Sequence, residues 1–271
     1  MYRNAIRGGA AVATAVLLTA GAAACSAEDT AKTAAEAIAL IADKADKSGS
    51  AEIVATTEMP ALPQPVRMEG IYTWGDGLAM RVEMDADSVG MGELVSDGTV
   101  ETRFVDGAYY YSVDPQASGP LKDKHWMRID AEAILGQAGA NQLSSSNQDP
   151  IAGVKALKYA DDVSKVGEEK INGKTATHYR GVYTKDDIEK KADDLSEKDR
   201  DSMLESLNQA KIDEITVDVW VADDLPVRIK QDMGQMTVTM DFKSFGKART
   251  IEAPPASDTA DMTDAVKAQQ S

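Results

Sequence analysis

Alternation of apolar and polar residues dominates this chain. It is clearest in Gly77 to Asp85, "GLAMRVEMD", where Leu78, Met80, Val82 and Met84 share one side of an extended segment and Arg81, Glu83 and Asp85 the other. The same period of two runs through Ile53, Ala55, Thr57 and Met59, through Val66, Met68, Tyr72 and Trp74, and through Val100, Thr102 and Phe104. Gly75-Asp76-Gly77 and Asp106-Gly107 are hairpin signals between these runs, and the second leads into Tyr109, Tyr110 and Tyr111. Later strands are predicted around Val163–Glu169, Thr175–Tyr183, Ile215–Val221, Pro226–Met233 and Gln235–Phe242, with turns at Asn172-Gly173, Asp223-Asp224 and Gly234.

Helical spacing appears in fewer places. From Thr33 to Lys47, Ala34, Ile38, Ile41 and Ala45 recur on one face, Thr33 and Glu36 form a capping box, and Ser48-Gly49 is the stop. Asp130 to Gln137 reads as a short helix and Gly136 to Gln148 as a loop of small and amide residues. Asp149 as cap and Pro150 at the first position predict a helix to about Tyr159. Thr184 to Ala210 is charged and helical, with a fresh capping box at Ser196 and Asp199 that divides or kinks it. The tail from residue 253 loses periodicity and is expected to be mobile. The order predicts an α+β fold, with one large antiparallel sheet in a single domain over residues 33–252.

The sheet's apolar face collects Met68, Tyr72, Trp74, Leu78, Met80, Val82, Met84, Phe104, Val217, Val219, Val227, Ile229, Met236, Val238, Met240 and Phe242, with Met59 and Met233 beside them. Their neighbours, among them Arg67, Glu69, Arg81, Glu83, Asp218, Arg228 and Asp241, suit water, so the sheet is one-sided. An uncovered face of this size exceeds the few hundred Å² a soluble monomer usually tolerates. Helices must cover it or a ligand must, and methionine suits both a gap-filled core and an adaptable apolar pocket.

Before the domain, Arg3 and Arg7 precede the apolar run Ala10 to Ala24, and Cys25 follows directly. Residues 1–24 form a signal-peptide pattern too short for a confident spanning helix. Cys25 is the single cysteine of the chain. At the end of that run it reads as a lipobox cysteine, which becomes a lipidated mature N-terminus on a small polar tether over 25–32. Ala22 stands where a lipobox usually has Leu, and cleavage after Ala22-Ala23-Ala24 without lipidation is the other reading. Either places the domain on the extracytoplasmic side, and lipidation fixes it to the cell membrane.

A formal net charge of −16 over 271 residues disfavours nucleic acid and anionic membrane surfaces as partners. The two histidines, His125 and His178, lie inside strand patterns, and none of H-E-x-x-H, G-x-S-x-G, the P-loop or C-x-x-C occurs. Asp85 to Ser96 begins like a calcium loop but has Val89 at position five and Ser96 at position twelve, so it reads as a solvated turn. No metal, cofactor or catalytic residue is expected. A hydrolase would need His125 or His178 in a polar cleft with a carboxylate.

The single cysteine, first helix and early meander, "KVGEEKINGKTATHYRGVYT" from Lys165 to Thr184, and "VDVWVADDLPVRIKQDM" from Val217 to Met233 together resemble the LppX and LprG group of actinobacterial lipoproteins, of LolA-like fold. The resemblance covers about Ala34 to Pro255. It implies a half-open antiparallel barrel whose concave apolar face, under covering helices, encloses the acyl chains of a lipid or lipoglycan. No active-site residue follows from it. LolA-like domains also serve as envelope sensors, so a sensor or protein-interaction module of the cell envelope with no lipid cargo is the alternative reading, and an envelope transporter or sensor is the kind of protein partner the resemblance implies.

Overall fold

The computed structural model describes residues 27–74, 77–136, 150–157, 160, 162–190, 197–209, 211–247 and 250–270. The leader over 1–24, Cys25, the loop from residue 137 to 148 and Ser196 lie outside them. The strands are β1 (Ser50–Glu58), β2 (Val66–Thr73), β3 (Ala79–Asp85), β4 (Thr99–Val105), β5 (Ala108–Ser112), β6 (Trp126–Asp130), β7 (Asp162–Ile171), β8 (Lys174–Thr184), β9 (Glu214–Ala222), β10 (Leu225–Asp232), β11 (Thr237–Phe245) and β12 (Thr259–Asp261). They form one sheet in the order β12-β6-β5-β4-β3-β2-β1-β11-β10-β9-β8-β7. Every pairing is antiparallel except β12 on β6, and β7 and β12 remain edges, so the curved sheet does not close.

Helices are α1 (Ala27–Asp46), α2 over 131–136, α3 (Ala152–Ala156), α4 (Lys185–Lys190), α5 (Glu197–Gln209) and α6 (Thr263–Gln270). α1 starts before the expected capping box, so Thr33 lies inside the helix rather than at its cap. Its buried face is Ala34, Ile38, Ile41, Ala42 and Ala45, at the predicted helical spacing. Ile151, not Asp149, precedes α3, so Pro150 stands before the helix rather than in its first turn.

The two larger apolar clusters pack segments outside the strands onto this sheet. The larger joins α1, α3, Ile188 of α4 and Leu207 of α5 to Ile53, Val217, Val219, Ile229 and Phe242. The smaller packs the segment after β3, through Ala86, Met91 and Val95, onto Val100, Met84, Tyr111 and Met127. Asp85 closes that turn by accepting the Ser88 backbone N–H at 2.8 Å.

The C-terminal residues correct the expectation of a mobile tail. Thr259, Ala260 and Asp261 pair with Trp126, Met127 and Arg128 as β12, and Ala260 is buried in the smaller cluster. A three-residue strand carries too little period to stand out in sequence. Its order comes from an unpaired β6 edge and from long-range bonds such as Arg128 to Asp261 at 2.6 Å.

Candidate functional site

Cross-strand register decides which residues share a face, because partners directly opposite one another point to the same side. One row runs Tyr72, Met80, Phe104, Tyr109 and Ile129 across β2 to β6, and the next runs Gly70, Val82, Thr102, Tyr111 and Met127. On the other flank Met68 faces Ala55, Ala55 faces Met240, and Met240 faces Ile229. These rows form the inner side, the side of α1 and α3. From β1 through β6 and on β11, every inner strand position is uncharged.

The predicted wall residues separate by environment. Val217, Val219 and Ile229 are at most 1% exposed, and with Phe242 they belong to the core packed under the helices. Trp74 donates its indole N–H to the Asp46 carbonyl at 3.0 Å and ties β2 to the end of α1. Met68, Tyr72, Leu78, Met80, Met84, Val238 and Met240 are half-buried, whereas Val82 and Phe104 are buried between them. Met236 precedes β11, at an open groove of about 330 Å³ with Met59, Leu62 and Pro63.

Val227 does not belong to this face. It packs with Ile171, Ala176 and Trp220 in a cluster on the outer side. The register slips between Pro226 and Arg228, and this bulge inverts the alternation that the sequence carries through the strand.

Between the two clusters the inner face thus presents a strip of Met80, Phe104 and Tyr109, edged by Met68 and Tyr72 on the side of the larger cluster and by Met84 and Tyr111 on the side of the smaller. Tyr109, Tyr111 and Met127 join this face although alternation alone does not single them out, and Thr102 follows the alternation of Val100 and Phe104. "AYYYS" places aromatic residues on both faces, and only the pairing of β4 with β5 shows that Tyr109 and Tyr111 point inward. Burial pushes the Tyr72 and Tyr111 phenols up to about 12, and Tyr109 beside them adds to both shifts.

The outer side is of the opposite character. Arg81 and Arg103 share Glu101 at 2.8 and 2.7 Å, and Arg103 also lies 4.6 Å over the Trp126 ring. Glu69 is held below the usual carboxylate range by its bonds from Lys243 and Arg67. Open depressions of about 550 and 420 Å³ lie here, lined by Glu52, Arg67, Arg81 and Glu83 in the first and by Arg103 and Lys247 in the second. Lined by charge, neither suits an acyl chain.

Both histidines have carboxylate partners. His178 Nδ1 is 2.9 Å from Glu169 Oε1 and its Nε2 2.6 Å from Asp218 Oδ1, while Asp218 also accepts from Arg180 at 2.7 Å. The ring is buried and stacks on Trp220, so it has no free nitrogen and no cleft in which to act as a base. His125 is exposed at the sheet edge, with Nδ1 2.8 Å from Asp258. No serine, threonine or cysteine is hydrogen-bonded to either ring among the described residues.

An unclosed antiparallel sheet with one apolar face under helices is the LolA-like architecture, and the crystal structure of Mycobacterium tuberculosis lipoprotein LppX shares it. The two superpose with a TM-score of 0.53 at 13% identity, over 82% of this chain and 99% of that one. No family model matches the chain. It is 31% identical over 245 residues to the uncharacterised 31.2 kDa protein of the rplA-rplJ intergenic region of Streptomyces griseus, covering 85% of this chain and 80% of that protein. This chain belongs to the same family as that Streptomyces protein. A Streptomyces coelicolor protein named as a lipoprotein is 28% identical over 88% of this chain and 78% of its own length.

Proposed function

We propose that this protein is a lipid-anchored lipoprotein of the extracytoplasmic membrane face that holds an acylated lipid or lipoglycan against its inner sheet face. In this reading it carries or presents that molecule in the cell envelope. The carrying observation is the uncharged inner strip of Met80, Phe104 and Tyr109, with half-buried methionines and tyrosines at its edges where two separately packed clusters meet it. Apolar burial would supply the affinity, at about 25 cal/mol per Å² of acyl surface removed from water. The buried aliphatic residues under α1 and α3 give the sheet its rigidity, and the methionine strip adapts to a cargo. Apolar binding at this face is the function the geometry supports. The relative named as a lipoprotein supports Cys25 as the anchor.

Native mass spectrometry of the protein purified from its own host, with lipid extraction, tests this reading. An acylated molecule should co-purify, and added lipid should restore the complex after delipidation. If none co-purifies and none rebinds, the carrier reading is wrong and an envelope sensor or protein-binding module takes its place. Intact-mass measurement settles Cys25 separately, since a free mature thiol excludes the anchor.

A further inference from the structure

We infer that Tyr109 and Tyr111, with Thr102 beside them, form a neutral hydrogen-bonding subsite for the ester or hydroxyl oxygens of an uncharged acyl ester. The inference rests on the carrier reading and narrows its cargo, separating esters from free fatty acids and plain hydrocarbon.

Thr102 lies opposite Tyr111 on the inner side and is 2% exposed, yet its hydroxyl has no hydrogen-bond partner. A buried hydroxyl left unpaired costs about 1–3 kcal/mol, so such a group calls for a partner that the chain itself does not supply. Tyr109 and Tyr111 stack with ring centroids 6.1 Å apart, and Phe104 packs against Tyr109 at 4.9 Å, so the rings are held by their neighbours. Tyr72 donates its hydroxyl to Met68 Sδ at 3.6 Å, whereas the Tyr109 and Tyr111 hydroxyls have no partner among the described residues. A face meant only to pack would use phenylalanine, as Phe104 does in the same row.

Charge then selects the ligand. No cation lies on the inner side of β1 to β6 or β11 to pair a carboxylate or phosphate, and burying an unpaired anion is strongly unfavourable. Buried phenols stay protonated far above neutral pH and therefore remain donors. Donors without countercharge match carbonyl and hydroxyl oxygens.

The test compares dipalmitoylglycerol, palmitate and hexadecane as probes on the delipidated full mature chain. Wild type should retain dipalmitoylglycerol best. The double variant Tyr109→Phe/Tyr111→Phe should lose about tenfold in affinity for it and keep its hexadecane binding, a loss that corresponds to one or two hydrogen bonds. Thr102→Val, of the same shape, should weaken the ester and leave folding intact by circular dichroism. Unchanged dipalmitoylglycerol affinity in the phenylalanine variant, or tighter binding of palmitate by wild type, overturns the subsite and leaves the carrier reading standing. Failure of wild type to bind any of the three overturns both.

Discussion

The His178 imidazole lies flat on the Trp220 indole, with ring centroids 4.3 Å apart and planes 14° from parallel. The pair sits on the outer side of β8 and β9, where His178 faces Trp220 directly across the strands. Asp218 anchors it from two residues along β9, on the same face, and is itself only 4% exposed.

Burial pushes the Asp218 carboxyl upward, but its bonds from Arg180 and then His178 outweigh that and hold it below its ordinary value of 3.8. A carboxyl depressed in the folded state adds stability that is complete above the unfolded value and disappears as pH falls through the folded one. Asp218→Ala should therefore cost about 1–3 kcal/mol near neutrality, chiefly by leaving the buried His178 Nε2 without its partner, since the half-exposed Arg180 is solvated. Urea unfolding between pH 7 and 2 checks this: the gap between wild type and variant should close only below about 3.8.

Two truncations separate core from lining. Ile229→Ala opens a hole under the helices and should cost about 2–5 kcal/mol, whereas Met80→Ala, on the half-buried strip, should cost about 1 kcal/mol or less. Differential scanning calorimetry of both variants reads the difference directly. Equal losses would place Met80 in the packed core and count against the strip as a binding surface.

Gly70 is set by a neighbouring backbone rather than by a turn. A Cβ there would stand 2.1 Å from the Arg81 carbonyl oxygen and 2.7 Å from the Val82 Cα. Gly70→Ala must push β2 and β3 apart, with an expected loss of about 1–3 kcal/mol, the range for overpacking. Amide exchange should show faster opening of β2 and β3 than of β8 and β9.

Removal of residues 256–271 should uncover the β6 edge and the smaller cluster. Ala260 leaves its buried site, and Arg128 loses Asp261. An exposed strand edge beside apolar residues pairs with other chains. The truncated protein should melt lower and form larger species in size-exclusion chromatography at micromolar concentration.

Much of this fold was legible because its signals are local. Period-two alternation, Asn172-Gly173 and Asp223-Asp224 turns, and the buried stripe of α1 each depend on residues a few positions apart. The neutral inner face and the charged outer face followed from the same alternation, since side chains of a strand must leave on opposite sides. What tertiary structure decided was non-local. A bulge at Pro226 moved Val227 to the outer face, and pairing with β4 turned Tyr109 and Tyr111 inward. An empty edge on β6 ordered Thr259–Asp261. The division of the apolar residues into a helix-covered core and a half-buried strip is of this second kind. Hydrophobicity tells a residue to leave water, but which surface meets it there is set by the packing of distant segments.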